Sequence, residues 1–416
     1  MADKTDCTNK TVFVAIDIAK NKHDVKIKWP NGRTKILKIA NSLAGYQSIL
    51  DGVNEKCFYE NITAAFEPTA DYHRNIAYWL NQNGVICHLA SSLACARARE
   101  MLHTSWDKHD RKDAGVILYL LEQGITKPFY DPLIAKTMDI QEISNTYQQI
   151  TIARTRCLNS LMNHSITLYF PEMERFIFSS RAEWFCKFLL KFPTPKSITR
   201  YHKETFVRRA WDVTGRKVAK QRFLEELYEI ACESIALPVD VNSLAVDMFK
   251  LQLKRLLALT MERKSLELRA ESLLQDRIDY QRLRTLPGVG PIIAMMIIAE
   301  SGDLKRFSHH RKYLKFCGFN LSASQSGTCQ GSYRLSKRGN ARLRYAFWLA
   351  ATTAIRLCEN GFRRKYQQCI KKDPENADVK RKARTAVAVK MARVAHALIK
   401  KDRDYRGYYE LGCETS

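Results

Sequence analysis

Apolar and polar positions near the start of the chain follow the pattern of a small mixed sheet. Residues 12–20 form an apolar run rich in β-branched residues, which predicts a strand buried on both faces. Residues 23–29 and 33–39 alternate polar and apolar side chains around the turn signal Pro30-Asn31-Gly32, as the strands of a hairpin do. The remaining predicted elements complete a βββαβαβ order and are a helix over 43–53, strands over 62–69 and 85–89, and a helix over 72–82.

Two of these strands carry a single carboxylate in otherwise apolar sequence. Asp17 interrupts the first run, and Glu67 follows the fourth strand directly before Pro68. An ionised carboxylate in a buried strand is costly unless a cation or hydrogen-bond donors compensate its charge. The βββαβαβ order resembles the RNase H fold, in which an Asp on the central first strand meets an acidic residue at the end of the fourth. Asp17 and Glu67 are therefore candidates for one polar site.

Two further carboxylates open a predicted helix that continues to Gly124. Asp110 and Asp113 are three residues apart, which places both on one helix face. Asp residues in a first helical turn also serve as caps, and the spacing alone does not separate the two interpretations. Four carboxylates on two strands and the following helix favour a two-metal phosphoryl-transfer site, which holds two cations about 4 Å apart.

The charge balance indicates a polyanionic partner. The 416 residues contain 68 Lys and Arg against 43 Asp and Glu, a net charge of +25, which favours nucleic acid. No apolar run approaches the roughly 20 residues of a membrane-spanning helix and no signal peptide is recognisable, so the sequence predicts a soluble, cytoplasmic protein, nucleoid-associated when bound to DNA. The twelve cysteines form no Cys-x-x-Cys pair, which favours packed, reduced thiols over zinc ligands.

The sequence predicts helices in the middle and at the end of the chain. Two long amphipathic helices, over 143–168 and 248–275, bracket a Lys/Arg-rich insert at 172–245 and predict an antiparallel coiled-coil arm, which suits dimerisation. Farther on, the turn 286–291 resembles a helix-hairpin-helix, in which backbone N–H groups at Gly288 and Gly290 contact DNA phosphates. An ordinary helix-connecting turn is the alternative. The basic residues that could clamp phosphates near the Ser/Gly stretch at 318–327 are Lys337, Arg338, Arg342 and Arg344.

Five short motifs, each weak alone, occur in one order along nearly the whole chain. They are Ala15-Ile16-Asp17-Ile18-Ala19-Lys20, Phe66-Glu67-Pro68-Thr69, Lys108-His109-Asp110-Arg111-Lys112-Asp113-Ala114, Leu286-Pro287-Gly288-Val289-Gly290, and Gln325-Ser326-Gly327 followed by Leu335-Ser336-Lys337-Arg338-Gly339-Asn340. With them the chain resembles the DEDD transposases of the Piv/MooV type. These are insertion-sequence recombinases, and some members are guided by a bridge RNA.

The resemblance implies an α/β domain followed by helical domains. These are an RNase H-like (RuvC-like) catalytic domain over 1–131, a coiled-coil arm with a basic insert over 132–279, and a mostly helical transposase domain over 280–416. It implies a DEDD set of Asp17, Glu67, Asp110 and Asp113 that binds Mg²⁺, with Mn²⁺ able to substitute, because oxygen ligands suit a hard cation. It also implies a nucleophilic serine, by position Ser326. The implied partners are DNA, a guide RNA in some members, and further copies of the chain that share the active site.

Three functions are compatible with these residues. In a recombinase, Ser326 cleaves a DNA strand through a phosphoserine intermediate that is then rejoined to a new partner. In a RuvC-like nuclease acting on branched DNA, metal ions activate water and no covalent intermediate forms. A binding scaffold would explain the charge but not four clustered carboxylates. For Ser326 alone, a turn serine in a Ser/Gly loop is the alternative interpretation.

Overall fold

The computed structural model describes residues 10–55, 59–103, 110–177, 182–215, 219–322, 325–326, 329–330 and 334–407. Of these, positions 103, 110–112, 182, 322, 325–326, 329–330 and 334 are described by their backbone only. The chain divides into two compact units, with the boundary between Ala135 and Lys136.

A six-stranded mixed sheet forms the first unit. Its strands are β1 (Val12–Asp17), β2 (Lys22–Lys28), β3 (Thr34–Ala40), β4 (Ile62–Phe66), β5 (Ile86–Leu89) and β6 (Lys127–Pro128). The spatial order is β3-β2-β1-β4-β5-β6, with β1 parallel to β4, β4 parallel to β5, and the β1-β2-β3 meander antiparallel. This topology confirms the predicted RNase H-like fold and places β1 at the centre, where both of its faces are covered.

Helices cover both faces of this sheet. They are α1 (Leu43–Val53), α2 (His73–Gln82), α3 (Ser92–His103) and α4 (Asp110–Glu122). On one face, Ile49 of α1 and Leu80 of α2 pack with Val14 and Ile16 of β1. On the other face, α3 and α4 pack on a second apolar cluster that contains Ala15. The sequence analysis did not predict α3.

The long helices of the second unit pair as predicted. They are α5 (Met138–Ser160), which continues through a π-helical turn (Leu161–Ile166) into the short α6 (Thr167–Tyr169), and α11 (Leu244–Leu274). Tyr147 donates a 3.0 Å hydrogen bond to Glu267, and Arg154 donates one of 3.1 Å to Thr260. Later positions on α5 thus meet earlier positions on α11, so the two helices are antiparallel.

Four short helices between them form the predicted insert. They are α7 (Ala182–Lys191), α8 (Pro195–Thr199), α9 (Lys203–Ala210) and α10 (Lys220–Cys232). Their core is aromatic, and the rings of Phe192 and Phe206 meet edge to face with centroids 5.2 Å apart. The same core includes Phe249 and Leu253 of α11, which anchors the insert to the arm.

The last part of the chain is a helical assembly with its own apolar core. Its helices are α12 (Ile278–Arg284), α13 (Pro291–Ser301), α14 (His310–Phe316), α15 (Ala341–Ala354), α16 (Gly361–Ile370) and α17 (Ala377–Lys401). Two nested antiparallel strand pairs interrupt it: β7 (Leu321–Ser322) with β10 (Arg334–Leu335), and β8 (Gln325–Ser326) with β9 (Cys329–Gln330). Within the described residues, no helix combines the length and the apolar character needed to cross a bilayer.

Candidate active site

Asp17 and Glu67 lie at the ends of two adjacent parallel strands. Asp17 is the last residue of β1, and Glu67 directly follows β4, whose final residue Phe66 pairs with Ile16. Two residues before the carboxylates, Ala15 and Ala65 pair with each other and belong to the apolar cluster under α4. Side chains along a strand alternate between the two faces, so both carboxylates lie on the same face as Ala15 and Ala65. The two strands are about 4.8 Å apart.

Helix α4 brings Asp113 to the same end of the sheet. At the C-terminal end of α4, Glu122 forms an ion pair with Lys28 of β2. Near the start of α4, a Cβ added to Gly115 would lie 3.7 Å from the Nζ of Lys26. Lys26 is paired with Ala15, so α4 runs back along β1 and Asp113 reaches the level of the strand end. Asp113 is buried, on the helical stripe that includes Val116 and packs on the sheet.

Arg99 of α3 holds the buried Asp113 carboxylate. Its Nε donates a 2.7 Å hydrogen bond to Oδ1 of Asp113, and its Nη2 lies 2.6 Å from the same oxygen. The two side chains are only 16% and 8% exposed, so this charge-assisted contact is well shielded from water. Both contacts engage Oδ1. The guanidinium therefore compensates the charge of Asp113 and fixes the orientation of its carboxylate.

Cys95, one turn before Arg99, connects Glu67 with Asp113. Burial, together with the nearby Glu67 carboxylate that accepts a hydrogen bond from the thiol, raises the pKa of Cys95 to about 12. Asp113 contributes in the same direction, so both carboxylates lie close to this sulfur. At neutral pH the thiol keeps its proton and acts as a hydrogen-bond donor. The thiol therefore helps to orient the Glu67 carboxylate through this hydrogen bond.

Asp24 is a further carboxylate at the same sheet end. It pairs directly with Asp17 across the β1–β2 ladder, and directly opposed residues project from the same face. The Nζ of Lys38, opposite Asp24 on β3, lies 3.6 Å from its carboxylate and offsets part of the like-charge repulsion. The sequence analysis named neither Asp24, Arg99 nor a role for Cys95 at this site.

The chemistry of these carboxylates suits a hard divalent cation. Asp17, Glu67 and Asp113 offer oxygen donors only, the preference of Mg²⁺ and Mn²⁺. Across the part of the chain that the structure describes, no three His, Cys, Asp or Glu side chains are close enough to hold a metal. The side chain of Asp110, the fourth predicted ligand, lies outside the described part. The donor chemistry of Asp17, Glu67 and Asp113 thus suits a cation, although their described side chains do not by themselves form a metal-holding group.

Ser326 occupies the inner strand pair of the C-terminal unit. It ends β8 and pairs through its backbone with Cys329 of β9, beside residues 327–328, which are outside the described part. Its side chain is not described either. The backbone thus places Ser326 at the end of a two-residue strand in the inner of two antiparallel strand pairs, a position that side-chain periodicity could not reveal.

The four predicted phosphate-binding cations divide into two pairs. Arg342 forms a 3.0 Å ion pair with Glu300 and also contacts Ser144, while Arg344 donates a 3.1 Å hydrogen bond to the carbonyl of Cys317. These two guanidinium groups bind other parts of the protein. Lys337 and Arg338 are instead exposed on the loop before α15. A phosphate contact stays a prediction for all four, and it requires the fewest rearrangements at Lys337 and Arg338.

Gly288 and Gly290 have different surroundings. Gly288 has a positive φ of +82°, and a Cβ there would lie 2.4 Å from the carbonyl oxygen of Ala350 and 2.6 Å from the nitrogen of Ala354. The turn can therefore approach α15 only because this residue lacks a side chain. A Cβ on Gly290 would meet nothing within 4 Å. Packing explains Gly288, and a phosphate contact by either glycine stays a prediction.

Replacing Gly288 with Ala should lower the free energy of unfolding by about 3 kcal/mol or more, since left-handed strain adds to a clash with backbone atoms. Gly290→Ala, with ordinary φ and open space, should change it by less than about 1 kcal/mol. Urea denaturation followed by circular dichroism compares the two. Equal stability of both variants would contradict the packing role of Gly288.

Comparison with known families and proteins identifies relatives of this chain. A transposase model of the DEDD IS110 type matches residues 14–171, and the model described as Transposase IS116/IS110/IS902 family matches residues 280–367. The insertion element IS116 uncharacterized 44.8 kDa protein of Streptomyces clavuligerus is 27% identical over 262 residues, covering 60% of this chain and 61% of that protein.

Two transposases are similar to this chain over about a third of its length. A probable family 20 transposase of Pseudomonas aeruginosa is 30% identical over 129 residues, which is 30% of this chain and 37% of the relative. The transposase for insertion sequence element IS1111A of Coxiella burnetii is 31% identical over 128 residues, which is 31% and 35%. The chain thus spans less than two thirds of the length of each of these three relatives.

One solved structure is also similar. T. thermophilus RuvC in complex with Holliday junction substrate is 12% identical, with a TM-score of 0.21 over 29% of this chain and 99% of that one, too low to support a conclusion. The family models carry the assignment. One covers the sheet with Asp17, Glu67 and Asp113, the other covers the turn at Gly288 and α15, and they follow in family order. The chain belongs to the IS110-type DEDD transposases.

Proposed function

We propose that this protein cleaves and rejoins DNA strands as the transposase of an insertion sequence. The observation that carries the proposal is the convergence of Asp17, Glu67 and Asp113 at one end of an RNase H-like sheet. Carboxylates gathered in this way suit a divalent cation, and a chain of net charge +25 is suited to a polyanionic substrate.

Mg²⁺, with Mn²⁺ able to substitute, is the proposed cofactor. Asp17, Glu67, Asp110 and Asp113 would hold it, and the bound cation would polarise the scissile phosphate and stabilise its developing charge. Arg99 would act as a positioning residue, because a carboxylate ligand that is itself hydrogen-bonded keeps its orientation. The protonated Cys95 would do the same for Glu67. Neither Arg99 nor Cys95 needs to contact the DNA.

Ser326 is the proposed nucleophile. Its Oγ would attack the phosphorus, the bond to the leaving DNA oxygen would break, and a phosphoserine would conserve the energy for rejoining. Lys337 and Arg338, exposed on the loop before α15, would contact neighbouring phosphates. The family resemblance extends the proposal to a guide RNA, for which sequencing of RNA that co-purifies with the protein is the test.

Denaturing electrophoresis of labelled DNA incubated with the protein and Mg²⁺ tests this function. A covalent protein–DNA adduct that disappears on protease treatment supports the recombinase. Cut strands without an adduct would support the rival function, a metal-dependent nuclease acting on branched DNA. A shift in native gels with intact DNA in denaturing gels would leave only a binding role.

The arm offers a surface for a second copy of the chain. Large apolar side chains on α11 are exposed by 44–73%, among them Leu244 (73%), Leu251 (53%), Met261 (57%) and Leu268 (69%). Leu244 and Leu251 are seven residues apart, as are Met261 and Leu268, the spacing of a coiled-coil seam. They differ from the positions through which α11 contacts α5, such as Gln252, Thr260 and Glu267. We propose that this stripe joins two subunits.

Leu251→Glu combined with Leu268→Glu should therefore dissociate the assembly. Burying two Leu side chains contributes about 3 kcal/mol or more, so the dissociation constant should rise by at least about 100-fold. Analytical ultracentrifugation measures this, and the melting temperature checks the fold. Ile235→Glu is the matched control, because Ile235 is 85% exposed but lies outside α11. A wild-type protein that stays monomeric at all concentrations would refute the proposal.

A further inference from the structure

The insert carries an uneven distribution of charge. Residues 187–222 contain eleven Lys or Arg and only two Asp or Glu. A solvated charged face is the ordinary explanation for such a segment, and it predicts cations scattered without mutual contacts. The structure instead brings several of them together.

Three cations form a compact group with one aromatic ring, named here the basic cluster: Lys191, Arg200 and Arg209 with Tyr201. The guanidinium carbons of Arg200 and Arg209 lie 4.7 and 4.6 Å from the centroid of the Tyr201 ring. Lys191 donates a 2.7 Å hydrogen bond to the backbone carbonyl of Arg209, and Tyr228 fixes the Tyr201 backbone through a 3.0 Å hydrogen bond. Two cations thus share one ring, which holds them in place at a low entropic cost on binding.

Carboxylates near the insert are engaged elsewhere. Glu183 pairs with Lys187 at 2.8 Å and with Lys264 at 3.0 Å, and Glu229 pairs with Lys203 at 2.8 Å. Within the described residues, neither Arg200, Arg209 nor Lys191 lies within ion-pair distance of a carboxylate. The positive charge of the cluster is therefore not compensated within this part of the protein.

Helix capping accounts for only part of this arrangement. Each cation lies at the carboxyl end of a helix, where a positive charge is favoured by about 0.3 to 1 kcal/mol. Lys191, the last residue of α7, does bind a terminal carbonyl of α9. Arg200 and Arg209 lie over the Tyr201 ring instead, and Nη1 of Arg209 donates a 3.4 Å hydrogen bond to the Tyr201 hydroxyl. Among the described residues, their other guanidinium N–H groups donate to no helix-terminal carbonyl. An anion that accepts paired hydrogen bonds would satisfy them.

We propose that the basic cluster binds the phosphate backbone of duplex DNA. Guanidinium groups held by stacking present paired N–H donors that match phosphate oxygens. The two guanidinium groups over the Tyr201 ring leave less of it for stacking on an unstacked base, which favours a duplex over a single strand. The cluster would contact phosphates and not bases, so it does not discriminate between DNA sequences. It would add affinity by binding the DNA away from the reacting phosphate. The choice of DNA rests on the proposed function.

The test compares two double variants of the full-length protein that lose the same charge. Arg200→Gln with Arg209→Gln removes the cluster, while Lys187→Gln with Lys203→Gln removes two cations already paired with glutamates. Fluorescence anisotropy with labelled duplex DNA, in EDTA to prevent cleavage, gives the affinity at several salt concentrations. The cluster variant should bind about 10-fold more weakly, and the slope of log K against log salt should fall by about 1.8. The control should change binding less than 2-fold.

Other outcomes overturn the proposal. Equal weakening by both variants would assign the effect to net charge, and unchanged binding in both would leave the cluster as a solvated surface. Loss of affinity for RNA with unchanged affinity for duplex DNA would assign the cluster to RNA. Arg200→Gln alone, which removes no hydrogen bond between described residues, guards against misfolding of the double variant. An Asp17→Asn protein that binds DNA but does not cut it would show that DNA binding persists when strand cleavage is lost. Failure of the cluster proposal can then be told apart from failure of the proposed function.

Discussion

Asp17→Asn and Glu67→Gln should each abolish DNA strand cleavage while the protein keeps its fold and its affinity for DNA. Each substitution removes one negative charge from the proposed metal site, and the cation contributes several kcal/mol to stabilising the transferred phosphate. We expect the rate to fall by about a thousand-fold or more, which corresponds to roughly 4 kcal/mol. Denaturing gels with saturating Mg²⁺ measure it, and cleavage by either variant at the wild-type rate would refute the assignment.

The fold should survive because the lost charges repel one another in the absence of metal. Asp17 faces Asp24 across the β1–β2 ladder and continues the same row as Glu67, so neutralising either one relieves like-charge repulsion. Thermal melts provide the second measurement. Mg²⁺ at about 100 times its dissociation constant should stabilise the wild-type protein by roughly 2.7 kcal/mol and the variants much less.

Asp113→Asn is a less direct test of the metal site. Arg99 would keep its charge in a shielded position, 16% exposed, with a neutral amide in place of its partner. Breaking a buried ion pair from one side typically costs about 3 to 5 kcal/mol. Loss of cleavage in this variant could therefore reflect instability.

The sheet and its two strand-end carboxylates followed from local pattern. Alternation and the turn at Asn31-Gly32 predict the hairpin, and the apolar run with β-branched residues predicts the central β1. Asp17 and Glu67 stand out because each is a single charge in such a run. These signals are carried by neighbouring residues, which is why periodicity alone recovers them.

Residues whose roles depend on distant partners were not predictable in this way. In α3, Arg97 and Arg99 interrupt the apolar pattern, so the helix and its contact with Asp113 were missed. Arg342 stays a predicted phosphate contact, but its ion pair with Glu300 was not foreseen. A DNA contact by Gly288 stays a prediction, but its packing role was not foreseen, because the atoms that require a glycine belong to α15, more than sixty positions along the chain. Sequence spacing contains no information about such tertiary partners.

Ser326→Ala should form no covalent adduct and cut no DNA, with a loss of about a thousand-fold or more. A hydroxyl is replaced by a hydrogen in a two-residue strand, so the backbone pairing with Cys329 can persist. The carboxylates of the first unit and the exposed Lys337 and Arg338 are unchanged. DNA affinity and stabilisation by Mg²⁺ should therefore equal those of the wild-type protein, which separates the loss of a nucleophile from the loss of a metal.

Ser322→Ala is the matched control, because Ser322 lies in the neighbouring strand pair, opposite Arg334, and should retain full activity. Mass spectrometry of the DNA-linked peptide from the wild-type protein identifies the attached residue directly. An adduct on Ser324 would move the nucleophile by two residues and keep the recombinase chemistry. Cut strands that persist in Ser326→Ala at the wild-type rate would assign the attack to water. The carboxylate site alone would then account for cleavage, as in a metal-dependent nuclease.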